Sequence, residues 1–154
     1  MGPAFACTRA VNPAGVEPRL TEQQLWKGLK DKARDPRPYV PAIKESRVTH
    51  EEGNKLTRMV RFNDGAEEER EDVEFVENAV VYFSSPEIPN RVINTISYGA
   101  ENELLLTYTF ATPIPGFEDD EHQLSSIEKN EVVGKIIDHS IEAVRKMVRE
   151  GKLH

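Results

Sequence analysis

Lys55-Leu56-Thr57-Arg58-Met59-Val60-Arg61-Phe62-Asn63-Asp64-Gly65-Ala66-Glu67-Glu68-Glu69-Arg70-Glu71-Asp72-Val73-Glu74-Phe75-Val76 decides the fold. Apolar side chains alternate with polar ones on both sides of Asp64-Gly65, the pattern of two strands joined by a tight hairpin turn. If Asp64 and Gly65 are the turn residues, Asn63 pairs with Ala66, Phe62 with Glu67, and Arg58 falls opposite Glu71. Leu56, Val60, Phe62 and Val73 share that face and look inward.

The same period of two extends on either side of this hairpin. Strands are expected over Ile43 to His50, Lys55 to Phe62, Glu68 to Val76, Ala79 to Ser84, Arg91 to Tyr98 and Leu104 to Thr112. Glu52-Gly53-Asn54 joins the first two, Pro86 and Pro89 lie before the fifth, and Gly99 to Asn102 separates the last two. Phe5 to Val11 reads as an earlier strand, stopped by Asn12, Pro13 and Gly15. Thr21 looks like a helix N-cap with Gln24 as its capping-box partner, and Leu25, Trp26 and Leu29 follow at helical spacing to about Ala33. Pro36, Pro38 and Pro41 then forbid a continuous helix, leaving an irregular turn with Tyr39 and Val40 pinned to the core. Towards the end, Ser126 is the expected cap of a long helix, with Lys129 at the third position. Val133, Ile137, Ile141, Val144 and Val148 form its apolar face, widened by Ile136, Ser140 and Met147. Short connections argue for a meander, and a helix of over twenty residues must bury that face against the sheet. The expected fold is therefore α+β: a curved antiparallel sheet of six or seven strands wrapped around a C-terminal helix, in one domain over 1–154.

Composition bounds the function. The 154 residues are 38% hydrophobic and 31% charged, ordinary for a folded domain, and the net charge is −7. An acidic surface disfavours nucleic acid and anionic lipid, and no stretch approaches the ~20 apolar residues of a membrane span. Met1 to Ala10 has no basic segment followed by a long apolar core, so no secretory signal is expected. Cys7 is the single cysteine, which fits a reducing, cytoplasmic setting. No two of the four histidines (His50, His122, His139 and His154) have metal-ligand spacing with a third donor near, so no metal site is expected. Glu118-Asp119-Asp120-Glu121 lacks the alternation of a calcium loop and reads as a solvated lid. A Gly-rich phosphate loop, a nucleophile elbow and a dinucleotide fingerprint are all missing, so no cofactor is expected.

Five ordered stretches carry a resemblance: Leu20-Thr21-Glu22-Gln23-Gln24-Leu25-Trp26-Lys27-Gly28-Leu29, Tyr39-Val40-Pro41-Ala42-Ile43, Arg58-Met59-Val60-Arg61-Phe62, Asn94-Thr95-Ile96-Ser97 and Leu106-Thr107-Tyr108-Thr109-Phe110. With the element order, they resemble the helix-grip fold of the birch-pollen-allergen, START and polyketide-cyclase superfamily (SRPBCC). Within it they are similar to the AtaL-like branch, long filed as a domain of unknown function. Ala111 to Gly116 departs from the more aromatic stretch common after the last strand in such proteins.

The resemblance implies an internal cavity between sheet and C-terminal helix that holds a small hydrophobic molecule. The positions read as facing inward, Trp26, Tyr39, Arg58, Val60, Glu71, Val73, Asn94, Ile96, Tyr108, Phe110, Ile137 and Ile141, are then the expected ligand-binding residues. Three roles are open: a binder or carrier, a cofactor-independent cyclase or isomerase acting on a polyketide- or terpenoid-like intermediate of secondary metabolism, or a partner-binding module. In the enzyme reading Arg58, Glu71, Asn94 and Tyr108 are the polar groups that polarise a carbonyl or move a proton. Each has a plainer reading. Arg58 and Glu71 would be a solvated cross-strand pair contributing ~0.2–1 kcal/mol, Asn94 a bridge to a neighbouring strand, and Tyr108 a core ring. Oligomeric state is open between monomer and homodimer.

Overall fold

A computed structural model describes residues 5–63, 65–111 and 124–153. The elements are β1 (Phe5–Ala10), α1 (Glu22–Arg34), β2 (Glu45–Glu52), β3 (Lys55–Arg61), β4 (Glu69–Val76), β5 (Val80–Ser84), β6 (Val92–Tyr98), β7 (Leu104–Phe110) and α2 (Ser126–Arg149). All seven strands form one curved antiparallel sheet in the order β1-β7-β6-β5-β4-β3-β2. Strands β2 to β7 are the expected meander, and β1 closes the far edge by pairing with β7.

The hairpin register is the expected one: Arg58 pairs with Glu71 and Leu56 with Val73. At the turn the Ala66 amide donates to the Asn63 carbonyl, and Gly65 adopts φ +83°, a left-handed conformation that costs glycine little. Asp64 lies outside the described residues. Strand β2 starts two residues later than expected because Ile43 turns inward, its amide donating to Val40 O. As an edge strand, β2 is exposed on both faces except at half-buried Ser46, and a bulge at Thr49 shifts its register.

Thr21 caps α1 and completes the box with Gln24. For α2 the cap is Ser125 rather than Ser126, and the third residue is Glu128. Starting one residue earlier places a carboxylate where it can receive the cap amide, a bond Lys129 cannot make. The expected acidic loop Glu118 to Glu121, His122, and Thr112 to Gly116 all lie outside the described residues.

Helix α2 lies against β1, β7 and α1, and Val133, Ile137, Ile141 and Val144 are buried in one core with Leu25, Trp26 and Leu106. One charged residue departs from the expected apolar face. Arg145 is 1% exposed; it donates to Val11 O at 2.6 Å and pairs with Glu142 at 3.5 Å.

The two helices meet at Gly28. A Cβ there would stand 2.5 Å from Val144 Cγ2 and 3.2 Å from the immobile Val144 Cβ. Gly28→Ala is therefore expected to destabilise by about 1–3 kcal/mol, although alanine favours helix by about 1 kcal/mol. A Cβ at Gly134 meets only the flexible guanidinium end of Arg9, so Gly134→Ala should cost under about 1 kcal/mol. Urea denaturation of both variants checks this, and equal losses would refute the close helix approach.

Candidate functional site

The inward face of the sheet brings together side chains far apart in sequence. Strand periodicity puts Arg58 of β3, Glu71 of β4, Phe83 of β5, Asn94 of β6 and Tyr108 of β7 on one side, and all are buried. Over them lies the last turn of α1, which contributes Lys32, 5% exposed.

Two hydrogen-bonded groups share this floor. In the first, Arg58 Nε and Nη2 donate to Glu71 Oε1 at 3.0 and 2.7 Å. Nη1 reaches the carbonyls of Lys32 and Ala33 at 3.2 and 2.8 Å. Arg58 thus meets the carboxylate and also satisfies carbonyls that the end of α1 leaves without helical partners. It is a charge-paired dock for the helix, not the solvated cross-strand pair of the plainer sequence reading.

In the second group, Lys32 Nζ donates to Asn94 Oδ1 at 2.6 Å and to the Tyr108 hydroxyl oxygen at 2.9 Å. It also stands over the Tyr108 ring, 4.4 Å from its centroid, and 5.4 Å from that of Phe83. Since an ammonium only donates, it fixes the amide with oxygen towards the lysine. Asn94 Nδ2 is then buried without an acceptor among the described residues.

A pocket of about 150 Å³ opens beside these groups. Lys32, Arg58, Glu71, Asn94 and Tyr108 all line it. Pro36, Val40 and Ile43 of the α1–β2 connection cover one side, Phe83, Val92 and Phe110 rise from the sheet, Phe62 follows the end of β3, and Ile136 projects from α2. That connection is held by Tyr39, whose hydroxyl donates to Asp31 Oδ2 at 2.7 Å. Burial, reinforced by the Asp31 carboxylate, pushes the Tyr39 hydroxyl well above its ordinary pKa.

Of the twelve expected ligand residues, Arg58, Glu71, Asn94, Tyr108 and Phe110 line the pocket. Trp26, Tyr39, Val60, Val73, Ile96, Ile137 and Ile141 are buried but do not line it. The pocket lies nearer the 36–43 connection than the middle of α2, so the helix contributes Ile136 in place of Ile137 and Ile141. Lys32 is the residue the sequence reading missed. It lies three positions after Leu29, on the stripe of Leu25, Leu29 and Ala33, where a basic side chain must either snorkel or find buried partners.

Cys7 is buried on β1, its thiol 3.1 Å from Asn130 Oδ1, and burial pushes its pKa up. It stands apart from the residues that line the pocket.

A seven-stranded curved antiparallel sheet gripping a long C-terminal helix defines a helix-grip protein. The chain belongs to the AtaL family, described as acetylaranotin biosynthesis cluster protein L, which matches residues 5–151. No curated protein matches it. Among solved structures it is similar to TTHA0849 from Thermus thermophilus, with 19% identity, 92% of this chain and 97% of that one covered, and a TM-score of 0.56. It is also similar to the di-domain ARO/CYC StfQ from the steffimycin biosynthetic pathway, at 10% identity over 96% of this chain and 51% of that one, TM-score 0.58. The di-domain ARO/CYC BexL from the BE-7585A biosynthetic pathway gives 8% identity, coverage of 93% and 48%, and a TM-score of 0.53. The chain therefore spans about half the length of each di-domain protein, and at these identities the likeness is one of fold.

Proposed function

We propose that this protein binds a small hydrophobic molecule in the pocket beneath the α1–β2 connection. The observation that carries this reading is the lining: aromatic and aliphatic walls around a small set of convergent polar groups. At about 150 Å³ the space suits a body of about one six-membered ring, well below the ~300–1,000 Å³ that drug-sized ligands occupy. The ligand is thus a monocyclic compound or the tip of a longer chain. The family description supports a setting in secondary metabolism. No helix among the described residues is long and apolar enough to cross a membrane, which fits the cytoplasmic address we propose.

A second reading is cofactor-independent cyclisation or isomerisation. It is favoured by the convergence of Glu71, Asn94 and Tyr108 on one pocket and by the fold shared with two di-domain ARO/CYC proteins. Orientation alone supplies ~7–11 kcal/mol of a barrier in favourable cases, so such chemistry needs few side chains. The partner-module reading has no comparable support. Among the described residues the exposed large apolar side chains Val48, Val76, Tyr98 and Ile127 sit on four different elements.

Native mass spectrometry of the full chain, with denaturing extraction of whatever co-purifies, tests binding. The expected result is an adduct that releases a ring-sized apolar compound. An empty protein that monocyclic aromatics, polyketides and terpenoids all fail to stabilise thermally would rule the reading out.

A further inference from the structure

Around Lys32 the hydrogen-bond inventory does not close. An ammonium has three donors, and Asn94 Oδ1 and Tyr108 Oη take two. Asn94 Nδ2 carries two more hydrogens with no acceptor among the described residues. Tyr108, whose oxygen accepts from Lys32, has no acceptor for its own hydrogen among them. Three side chains of the lining thus carry hydrogens without acceptors, Asn94 Nδ2 among them as a fully buried atom, whereas the carboxylate of Glu71 is held by Arg58 through Oε1 and leaves Oε2 as an acceptor with no partner among the described residues.

Charge is unbalanced in the same sense. The buried cluster holds two basic side chains, Lys32 and Arg58, against the single carboxylate of Glu71. Arg58 takes that carboxylate, and Lys32 forms no ion pair among the described residues. Two aromatic faces are its nearest compensation. A basic side chain buried beside an apolar pocket with donors to spare is matched by a ligand that brings an anionic acceptor.

Resting on the pocket reading above, we infer that the ligand is a ring-sized apolar compound bearing an anionic oxygen, a carboxylate or an enolate, received by Lys32, Asn94 and Tyr108. The chain as a whole carries −7, so this preference is local and runs against the long-range field. Arg58 is a positioning residue here: by bonding the Lys32 and Ala33 carbonyls it sets where the Lys32 side chain begins.

Calorimetric titration of the full chain with benzoate, acetylacetone and toluene tests this. Lys32→Met should weaken benzoate binding about tenfold or more while leaving toluene within about twofold. Lys32→Gln, which keeps a hydrogen-bonding side chain without the charge, should weaken benzoate similarly and guards against a folding defect in the first variant. Lys135→Met removes an exposed lysine on α2 and should change neither ligand. A matching loss for acetylacetone at a pH that forms its enolate assigns the enolate, and a loss for benzoate alone assigns the carboxylate. If toluene binds and both Lys32 variants hold benzoate as wild type does, the anion inference is overturned and the pocket reading survives. If the wild type binds none of the three, both are overturned.

Discussion

Arg58→Ala is expected to lower the unfolding free energy by about 3–5 kcal/mol, the usual penalty for breaking a buried ion pair from one side. The Arg58 and Glu71 side chains are 5% and 9% exposed, so truncation leaves a buried carboxylate without the guanidinium that pairs it. It also removes the donor to the Lys32 and Ala33 carbonyls, detaching the end of α1 from the sheet. For a chain of this size the melting temperature should fall by on the order of 10 °C. Replacing both partners, Arg58→Met with Glu71→Leu, removes the stranded charge. That variant should recover most of the loss, leaving about 1–2 kcal/mol for the uncapped carbonyls. Urea denaturation of the single and double variants decides it. A double variant as unstable as the summed single losses would show that the pair is not coupled as described.

Trp26→Ala should cost about 3–5 kcal/mol by a different mechanism, the opening of a cavity. Trp26 is 2% exposed and meets Phe75 edge-on, with ring centroids 6.2 Å apart at 86°. Its indole N–H has no acceptor among the described residues, so Trp26→Phe forfeits no hydrogen bond and should cost only about 1–2 kcal/mol. Since this is the only tryptophan, far-UV circular dichroism should follow unfolding in place of fluorescence. Equal losses for the alanine and phenylalanine variants would mean that the indole ring does not fill the core beside Phe75.

Where sequence reading succeeded, the signal was local or periodic. Asp64-Gly65 set a two-residue hairpin, and the period of two then carried the register back to Arg58 and Glu71 without further information. Thr21 and Gln24 marked the start of α1 because both halves of a capping box lie within four residues. The misplaced start of α2 has the same origin, since two consecutive serines offer two caps and only Glu128 distinguishes them. The pocket was harder to place. Alternation told which strand residues point inward, and Asn94, Tyr108 and Phe110 are among those that line the pocket. It carried no information on which part of that face α2 leaves uncovered, and Ile136 replaced Ile137 for that reason. Lys32 was missed because a lysine at the edge of an apolar stripe ordinarily snorkels to water. Its burial follows from Asn94 and Tyr108, residues 62 and 76 positions away, which no pattern within α1 contains.

The most direct test of the central claim is a methyl-detected NMR titration of the full chain with toluene. The account predicts that the methyls of Val40, Ile43, Val92 and Ile136 shift together along one binding isotherm, while those of Ile141 and Val144 in the closed core stay in place. Shifts confined to Val48 and Val76 on the exposed strands, or none at saturating toluene, would contradict it.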